Sequence, residues 1–140
     1  MSLSIADLLL SDLAEAIALW DSIPELNFPV AFDTPERLTR FLQKNQGLST
    51  IARIDGEMVG ALLCGHDGRH GFFYHIGVKP QLRRQGVAAR MVERSFEKLR
   101  EEHNDACFLF TSKFNKGAQA FWKAMGFEYA SWVMYQSRAI

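Results

Sequence analysis

Val78-Lys79-Pro80-Gln81-Leu82-Arg83-Arg84-Gln85-Gly86-Val87-Ala88 is the stretch on which the reading of this chain turns. It runs from a strand end through a proline-marked turn into a basic loop that opens directly into a helix. The helix is legible from its apolar spacing. Ala88, Met91, Val92, Ser95, Phe96 and Leu99 fall on one face, and Arg90, Glu93, Arg94, Glu97, Lys98 and Arg100 on the others. The first N–H groups of a helix lack intrahelical acceptors and carry a partial positive charge, so such a junction attracts anions. Gly86 lets the backbone approach a ligand closely, and Arg83 and Arg84 add full charges. This chemistry suits a phosphate or pyrophosphate. The loop is not a Walker A loop, because no Gly-Lys-Ser/Thr follows, and it is not Gly-x-Gly-x-x-Gly.

The spelling of the loop and its neighbours narrows the reading. Arg83-x-x-Gly86-x-Ala88, preceded by Ile76-Gly77-Val78-x-Pro80, resembles motif A of the GNAT acyltransferases (Gcn5-related N-acetyltransferases), usually Gln/Arg-x-x-Gly-x-Gly/Ala. Downstream, Asn115-x-x-Ala118-x-x-Phe121-Trp122-x-x-x-Gly126-Phe127 resembles the family's motif B, usually Asn-x-x-Ala-x-x-Phe-Tyr-x-x-x-Gly-Phe. Order and separation of the two also fit. The resemblance covers essentially the whole chain and is specific from about Gly56 to Phe127. The loop Gly65-His66-Asp67-Gly68-Arg69-His70-Gly71 is similar to that of a bacterial subgroup whose substrates are mostly unknown.

Composition sets the outer bounds. A chain of 140 residues predicts one domain spanning 1–140, and 48% hydrophobic content supports a real core. No apolar run is long enough to cross a membrane. No basic segment precedes the first apolar stretch, which Asp7 and Asp12 flank, so no signal peptide is expected. Cys64 and Cys107 lie in apolar, strand-like runs and read as buried free thiols, without a disulfide or metal site. A cytoplasmic location is the default expectation. Net charge is zero, which gives no general pull toward nucleic acid or membrane. Yet residues 1–50 hold seven acids against three bases, and residues 79–100 hold seven bases against two acids. Solvated helix faces give such segregation by chance; a basic cofactor end and an acidic acceptor end would give it by design.

The coarse order is β-α-α-β-β-β-α-β-α-β(β). A first strand spans residues 2–7, and a helix follows from Ser11 or Asp12 to about Ser22. Pro24 to Asp33 reads as a loop. Thr34-Pro35-Glu36 starts a second helix that stops near Gln46-Gly47. Asp55-Gly56 turns a hairpin of Thr50–Arg53 and Met58–Cys64. Strands follow at Phe72–Val78 and Cys107–Thr111, with the basic helix between them. Asn115 caps a last helix ended by Gly126, and one or two closing strands lie within Phe127–Ser137. This pattern is an α/β (α+β) layered domain with a mixed sheet. The resemblance makes it the GNAT fold, a mixed central sheet of six to seven strands flanked by four helices.

The resemblance implies an N-acetyltransferase that moves an acetyl group from acetyl-CoA to a primary amine of a small molecule or peptide, by direct attack in a ternary complex. It implies that Arg83, Arg84, Gln85, Gly86, Val87 and Ala88 hold the pyrophosphate, and that main-chain groups of Ile76, Gly77 and Val78 pair with the pantetheine arm. Asn115 would contact that arm, although an Asn there is also an ordinary helix N-cap. The family's usual acid is the Tyr of motif B, where this chain carries Trp122. An indole N–H donates a hydrogen bond but does not give up its proton. Trp122 is therefore read as packing on cofactor or core, and the thiolate leaves with another acid or none.

Strand periodicity puts Phe72, Tyr74, Ile76 and Val78 on one face and Phe73, His75 and Gly77 on the other. Tyr74 has the parity of the family's base, relaying through water, while His75 has the better intrinsic pKa. A bulge would change which side faces the site. Asp21, Glu25, Asn27 and Phe28, at and after the first helix, are the expected acceptor contacts: carboxylates for a cationic amine beside an aromatic wall. His66 and His70 lack metal-ligand spacing, and Asp67 reads as a turn residue. A homodimer is compatible with the resemblance. The alternative is a non-catalytic acyl-CoA-binding or sensing module, favoured by the absent motif B tyrosine.

Overall fold

The hairpin turned by Asp55 and Gly56 forms the middle of the sheet in the computed structural model, which describes residues 2–140. Both turn residues take positive φ, 50° and 83°, as a two-residue hairpin turn with the right twist requires. The chain forms two compact units, Met1–Phe110 and Thr111–Ile140. In the first, β1 (Leu3–Asp7), α1 (Leu13–Asp21), α2 (Pro35–Lys44), β2 (Thr50–Ile54), β3 (Glu57–His66), β4 (Gly71–Val78), α3 (Val87–Glu101) and β5 (Cys107–Leu109) follow in order. Spatial order is β1-β2-β3-β4-β5, with β4 and β5 parallel and the other pairs antiparallel. The helix α3 supplies the crossover that a parallel pair needs.

Helices cover both faces of this sheet. On one face, Leu13, Ala16, Leu19 and Trp20 of α1 and Leu38 and Leu42 of α2 bury against Ile51, Ala61 and Leu63. On the other, α3 buries Val87, Met91, Val92, Ser95 and Leu99. Glycines in the strands record how closely the helices press. A Cβ on Gly60 would lie 2.8 Å from Met91, and one on Gly71 2.5 Å from Leu99. A Cβ on Gly77 would lie 2.7 Å from Ile23, and one on Gly65 2.6 Å from Phe41. Polar groups under α3 are satisfied: Ser95 Oγ donates to Leu48 O at 2.7 Å, and Thr50 and Ser95 hydroxyls meet at 2.8 Å.

Motif B is helix chemistry in the second unit. Asn115 Oδ1 accepts from Ala118 N–H at 3.0 Å and caps α4 (Lys116–Ala124). At the other end Gly126, at φ +93°, donates to Lys123 O while Phe127 N–H reaches Trp122 O. This pair of bonds is a Schellman motif, and the Trp122–Phe127 ring contact at 5.1 Å is its customary hydrophobic partner. The Asn, Gly and Phe positions thus fix where α4 begins and ends.

The sheet has five strands, not six to seven. Phe127–Ser137 forms no strand. Its apolar residues suggested one, but apolar content alone does not make a strand without ladder bonds, and Tyr129, Trp132 and Met134 stand exposed. β5 also stops at Leu109, two residues early. Among the described residues no helix is long and apolar enough to cross a membrane.

Both thiols are unpaired; Cys64 is buried and Cys107 half-buried. Burial pushes the Cys64 thiol up, and it pushes Cys107 up to about 12. Neither is a thiolate at pH 8. The folded protein is therefore expected to react with Ellman's reagent only slowly at that pH, and both thiols to react promptly once it is unfolded in guanidinium.

Candidate functional site

The basic loop has the geometry of an anion cradle. After a 3-10 turn at Pro80–Leu82 the chain passes through two left-handed residues, Arg84 at φ 63° and Gly86 at φ 79°, before α3 begins. A non-glycine residue held in that region is strained by about 1–2 kcal/mol, which marks the loop as specified rather than incidental. Among the described residues the backbone N–H groups from Arg84 to Ala89 have no intramolecular acceptor. They line the positive end of α3. A Cβ on Gly86 would meet no atom within 4 Å, so the space above it is open. Arg84 and Gln85 are exposed there, with Val87 buried and Ala88 half-buried beneath.

Behind the loop, β4 has an open edge. β5 pairs only with Gly71–Phe73, so among the described residues Tyr74–Val78 have no strand partner on that side. Lys79 N–H donates to Val59 O at 2.9 Å, and the alternation of an antiparallel ladder then turns Gly77 and His75 main-chain groups toward β3. Ile76 and Val78 present theirs to the open side. An extended amide-bearing ligand can pair with such an edge as an added strand would.

The two candidate catalytic side chains lie in the same strand at a bulge. Leu63 pairs with His75 and Cys64 with Phe73, which leaves Tyr74 extra. Simple alternation put Tyr74 and His75 on opposite faces. The bulge instead brings both to the face covered by α1 and α2, where Tyr74 meets Phe41 at 5.4 Å and His75 meets Trp20 at 5.4 Å. Burial, then the charges of Asp67 and Asp33, raises the Tyr74 phenol above its usual pKa. The phenol thus keeps its proton at neutral pH and can donate a hydrogen bond there.

His75 has a partner that periodicity did not reveal. Its Nε2 lies 2.6 Å from Asp33 Oδ2, and both side chains are largely buried. A carboxylate only accepts, so Nε2 carries the hydrogen and Nδ1 keeps the basic lone pair. Phe28 closes edge-on over the ring at 4.9 Å. Asp33 sits just ahead of the Thr34 cap in a segment that reads as loop, 42 residues from His75, so only the fold joins them.

The acceptor residues expected from the sequence are scattered. Asp21 and Asn27 are exposed, while Phe28 is buried against Trp20 and His75. Glu25 Oε1 accepts from Arg83 Nη1 at 3.1 Å, so its charge is spent on the basic loop. Its own backbone N–H and then Arg83 hold that carboxyl below the usual range. In the second unit Trp122 is buried, with Phe121 and Phe127 against its ring. Asn115 is half-buried and occupied by its capping bond.

Comparison with known proteins bears on this site. The family model described as Acetyltransferase (GNAT) family matches residues 15–127. An acetyltransferase of Photorhabdus laumondii is 35% identical over 88 residues, which cover 63% of this chain and 60% of that protein. This chain thus spans about three fifths of the length of the curated relatives it matches. Among solved structures, Ard1 from Thermoplasma volcanium superposes with a TM-score of 0.82 at 16% identity, covering 94% of this chain and 86% of that one. An aminoglycoside acetyltransferase from an uncultured soil metagenomic sample, in complex with sisomicin, gives 0.78 at 20% identity, covering 99% and 96%. At these identities the structural likeness concerns the fold.

Proposed function

The chain belongs to the acetyltransferase (GNAT) family, and from that premise we propose that it transfers an acetyl group from acetyl-CoA to a primary amine. We read residues 1–140 as one acetyltransferase domain, since the family match runs through the boundary at Phe110. The observation that carries the proposal is the row of unpartnered N–H groups from Arg84 to Ala89 over an open Gly86, which suits the cofactor's pyrophosphate. Arg83, which also pairs with Glu25, and Arg84 add charge-assisted bonds to it. The free main-chain groups of Ile76 and Val78, on either side of Gly77, suit the amides of the pantetheine arm. Asn115 caps α4 through its Oδ1 and keeps its side-chain amide N–H₂ as a donor, and Trp122 packs on Phe121 and Phe127. When bound, acetyl-CoA supplies the activated thioester.

The residues of the chain then do the rest. His75 Nδ1 takes the amine proton, directly or through one water, while Asp33 holds the imidazole in the tautomer that leaves Nδ1 basic. The Tyr74 hydroxyl donates a hydrogen bond on the same face. A thiol of ordinary pKa, about 8.5, leaves as thiolate without a dedicated acid, which suits a chain with Trp122 at the motif B position.

The test is thiol release from acetyl-CoA with a panel of primary amines. Wild type should turn over at least one of them. His75→Gln should lose about 10²-fold or more in kcat. Asp33→Asn should fall less, because an amide no longer fixes the tautomer. Unchanged kcat in His75→Gln would remove His75 from the chemistry. A second reading, acyl-CoA binding without turnover, has Trp122 in its favour. Its signature is a tight acetyl-CoA complex with no thiol released by any amine.

A further inference from the structure

Beside Tyr74 lies a second feature, a cleft of about 140 Å³ between α2, the loop joining β3 to β4, and the start of β4. Its walls are aromatic. Phe41 stands edge-on to Tyr74 at 5.4 Å, and Phe72 stacks on Tyr74 at 4.7 Å. Its polar groups are already engaged with one another. Asn45 Nδ2 donates to Phe41 O, and Asn45 Oδ1 accepts from His66 N–H. His66 Nδ1 accepts from Gly68 N–H while its Nε2 meets Glu102, so both ring nitrogens are engaged. Asp67 accepts from the backbone N–H groups of Arg69 and His70, and Arg69 also takes its second oxygen at 2.9 Å. These bonds, the Arg69 backbone first, hold the Asp67 carboxyl well below the usual range. His70 Nδ1 lies 3.1 Å from Gly71 O.

What remains for a ligand is ring surface and the Tyr74 hydroxyl. Tyr74 is half-exposed, and its hydroxyl has no hydrogen bond among the described residues. The size matches as well, since an apolar cavity of about 150 Å³ holds one benzene ring. A polyhydroxylated polycation would need free carboxylates here, and the one carboxylate present is neutralised by Arg69.

We propose that this cleft seats an aromatic ring of the acceptor and that the acceptors are arylalkylamines: one ring on a short chain ending in a primary amine. The inference rests on the acetyl-transfer reading and names its substrate class. With the ring seated in the cleft against the exposed sides of Phe41, Phe72 and Tyr74, the amine extends along the face that also carries His75. The nitrogen bonds to the acetyl carbon and the C–S bond breaks. Sulfur leaves with the bonding pair as thiolate, and the nitrogen's proton passes through His75 to solvent.

The experiment compares kcat/KM for 2-phenylethylamine, n-butylamine and kanamycin at saturating acetyl-CoA, with product mass checked. Alongside it, saturation-transfer NMR follows 2-phenylethylamine binding without turnover. Wild type should prefer 2-phenylethylamine by at least tenfold. Tyr74→Leu and Phe41→Leu should each reduce that preference toward one, a ratio that a mere loss of stability leaves alone. Preference for n-butylamine or kanamycin, or a ratio unmoved in both variants, overturns the inference and leaves acetyl transfer standing. NMR binding that Tyr74→Leu abolishes, with no amine turned over, upholds the cleft and overturns acetyl transfer. No binding and no turnover of 2-phenylethylamine overturns the inference.

Discussion

Gly86→Glu should weaken acetyl-CoA binding at least 100-fold, a loss of about 2.7 kcal/mol. Two effects add. The first is steric and conformational: Gly86 sits at φ 79°, where any side chain costs about 1–2 kcal/mol of strain. No atom stands within 4 Å of a Cβ there, so the fold itself survives. The second is electrostatic and larger. The new carboxylate reaches the N–H groups from Arg84 to Ala89, takes the place of a phosphate oxygen, and repels the rest of the pyrophosphate. Each hydrogen bond to a charged group is worth about 1.5–3 kcal/mol, so forfeiting two of them accounts for the predicted loss. Gly86→Ala carries the strain without the charge. It should lie much closer to wild type by isothermal titration, and its melting temperature should match that of Gly86→Glu within a few degrees. Equal affinities for all three proteins would place the anion site elsewhere.

Trp20→Ala is the second large effect, and it acts on stability. Trp20 is fully buried, its Nε1 donates to Ala61 O at 3.0 Å, and its ring meets both Phe28 and His75. Gly77 leaves it room from the strand side. Truncating such a residue costs about 3–5 kcal/mol. The lost indole hydrogen bond to the Ala61 carbonyl is part of that loss, at about 0.5–1.5 kcal/mol. Against a total of about 5–15 kcal/mol, the variant should be partly unfolded at 37 °C or melt more than about 10 °C below wild type. Trp20→Phe keeps most of the ring and loses the donor, so it should fall between the two. A melting temperature within 3 °C of wild type for Trp20→Ala would mean that Trp20 is not the keystone of the α1–β4 contact. The same change should lower kcat beyond what stability explains, because His75 and Phe28 lose the surface that holds them.

Much of this was readable from residue order. Alternation and turn chemistry marked the Asp55-Gly56 hairpin, and the Thr34-Pro35 start, the α3 stripe and the Asn115 and Gly126 caps were local signals that the fold kept. The basic loop was equally legible, because Arg83-x-x-Gly86-x-Ala88 places charge and backbone freedom at a helix start. What failed to read was non-local. Tyr74 and His75 share a face only because of a bulge, whose presence depends on how β3 pairs and not on the spelling of β4. Asp33 reaches His75 across 42 residues of chain. Glu25 meets Arg83 across 58 residues of chain, a pairing only the fold makes. The apolar pattern after Phe127 asked for strands, and that segment forms none.

The measurement that bears most directly on the central claim is thermal unfolding of the wild-type protein with and without acetyl-CoA. A ligand that binds only the native state at 100 times its Kd adds about 2.7 kcal/mol of stability. The loop of free N–H groups and the open β4 edge predict a rise of several degrees in melting temperature at 1 mM acetyl-CoA, and a smaller or absent rise with adenosine alone. No shift at 1 mM would contradict the account, since neither the cradle over Gly86 nor the unpaired edge of Ile76 and Val78 would then be holding the cofactor.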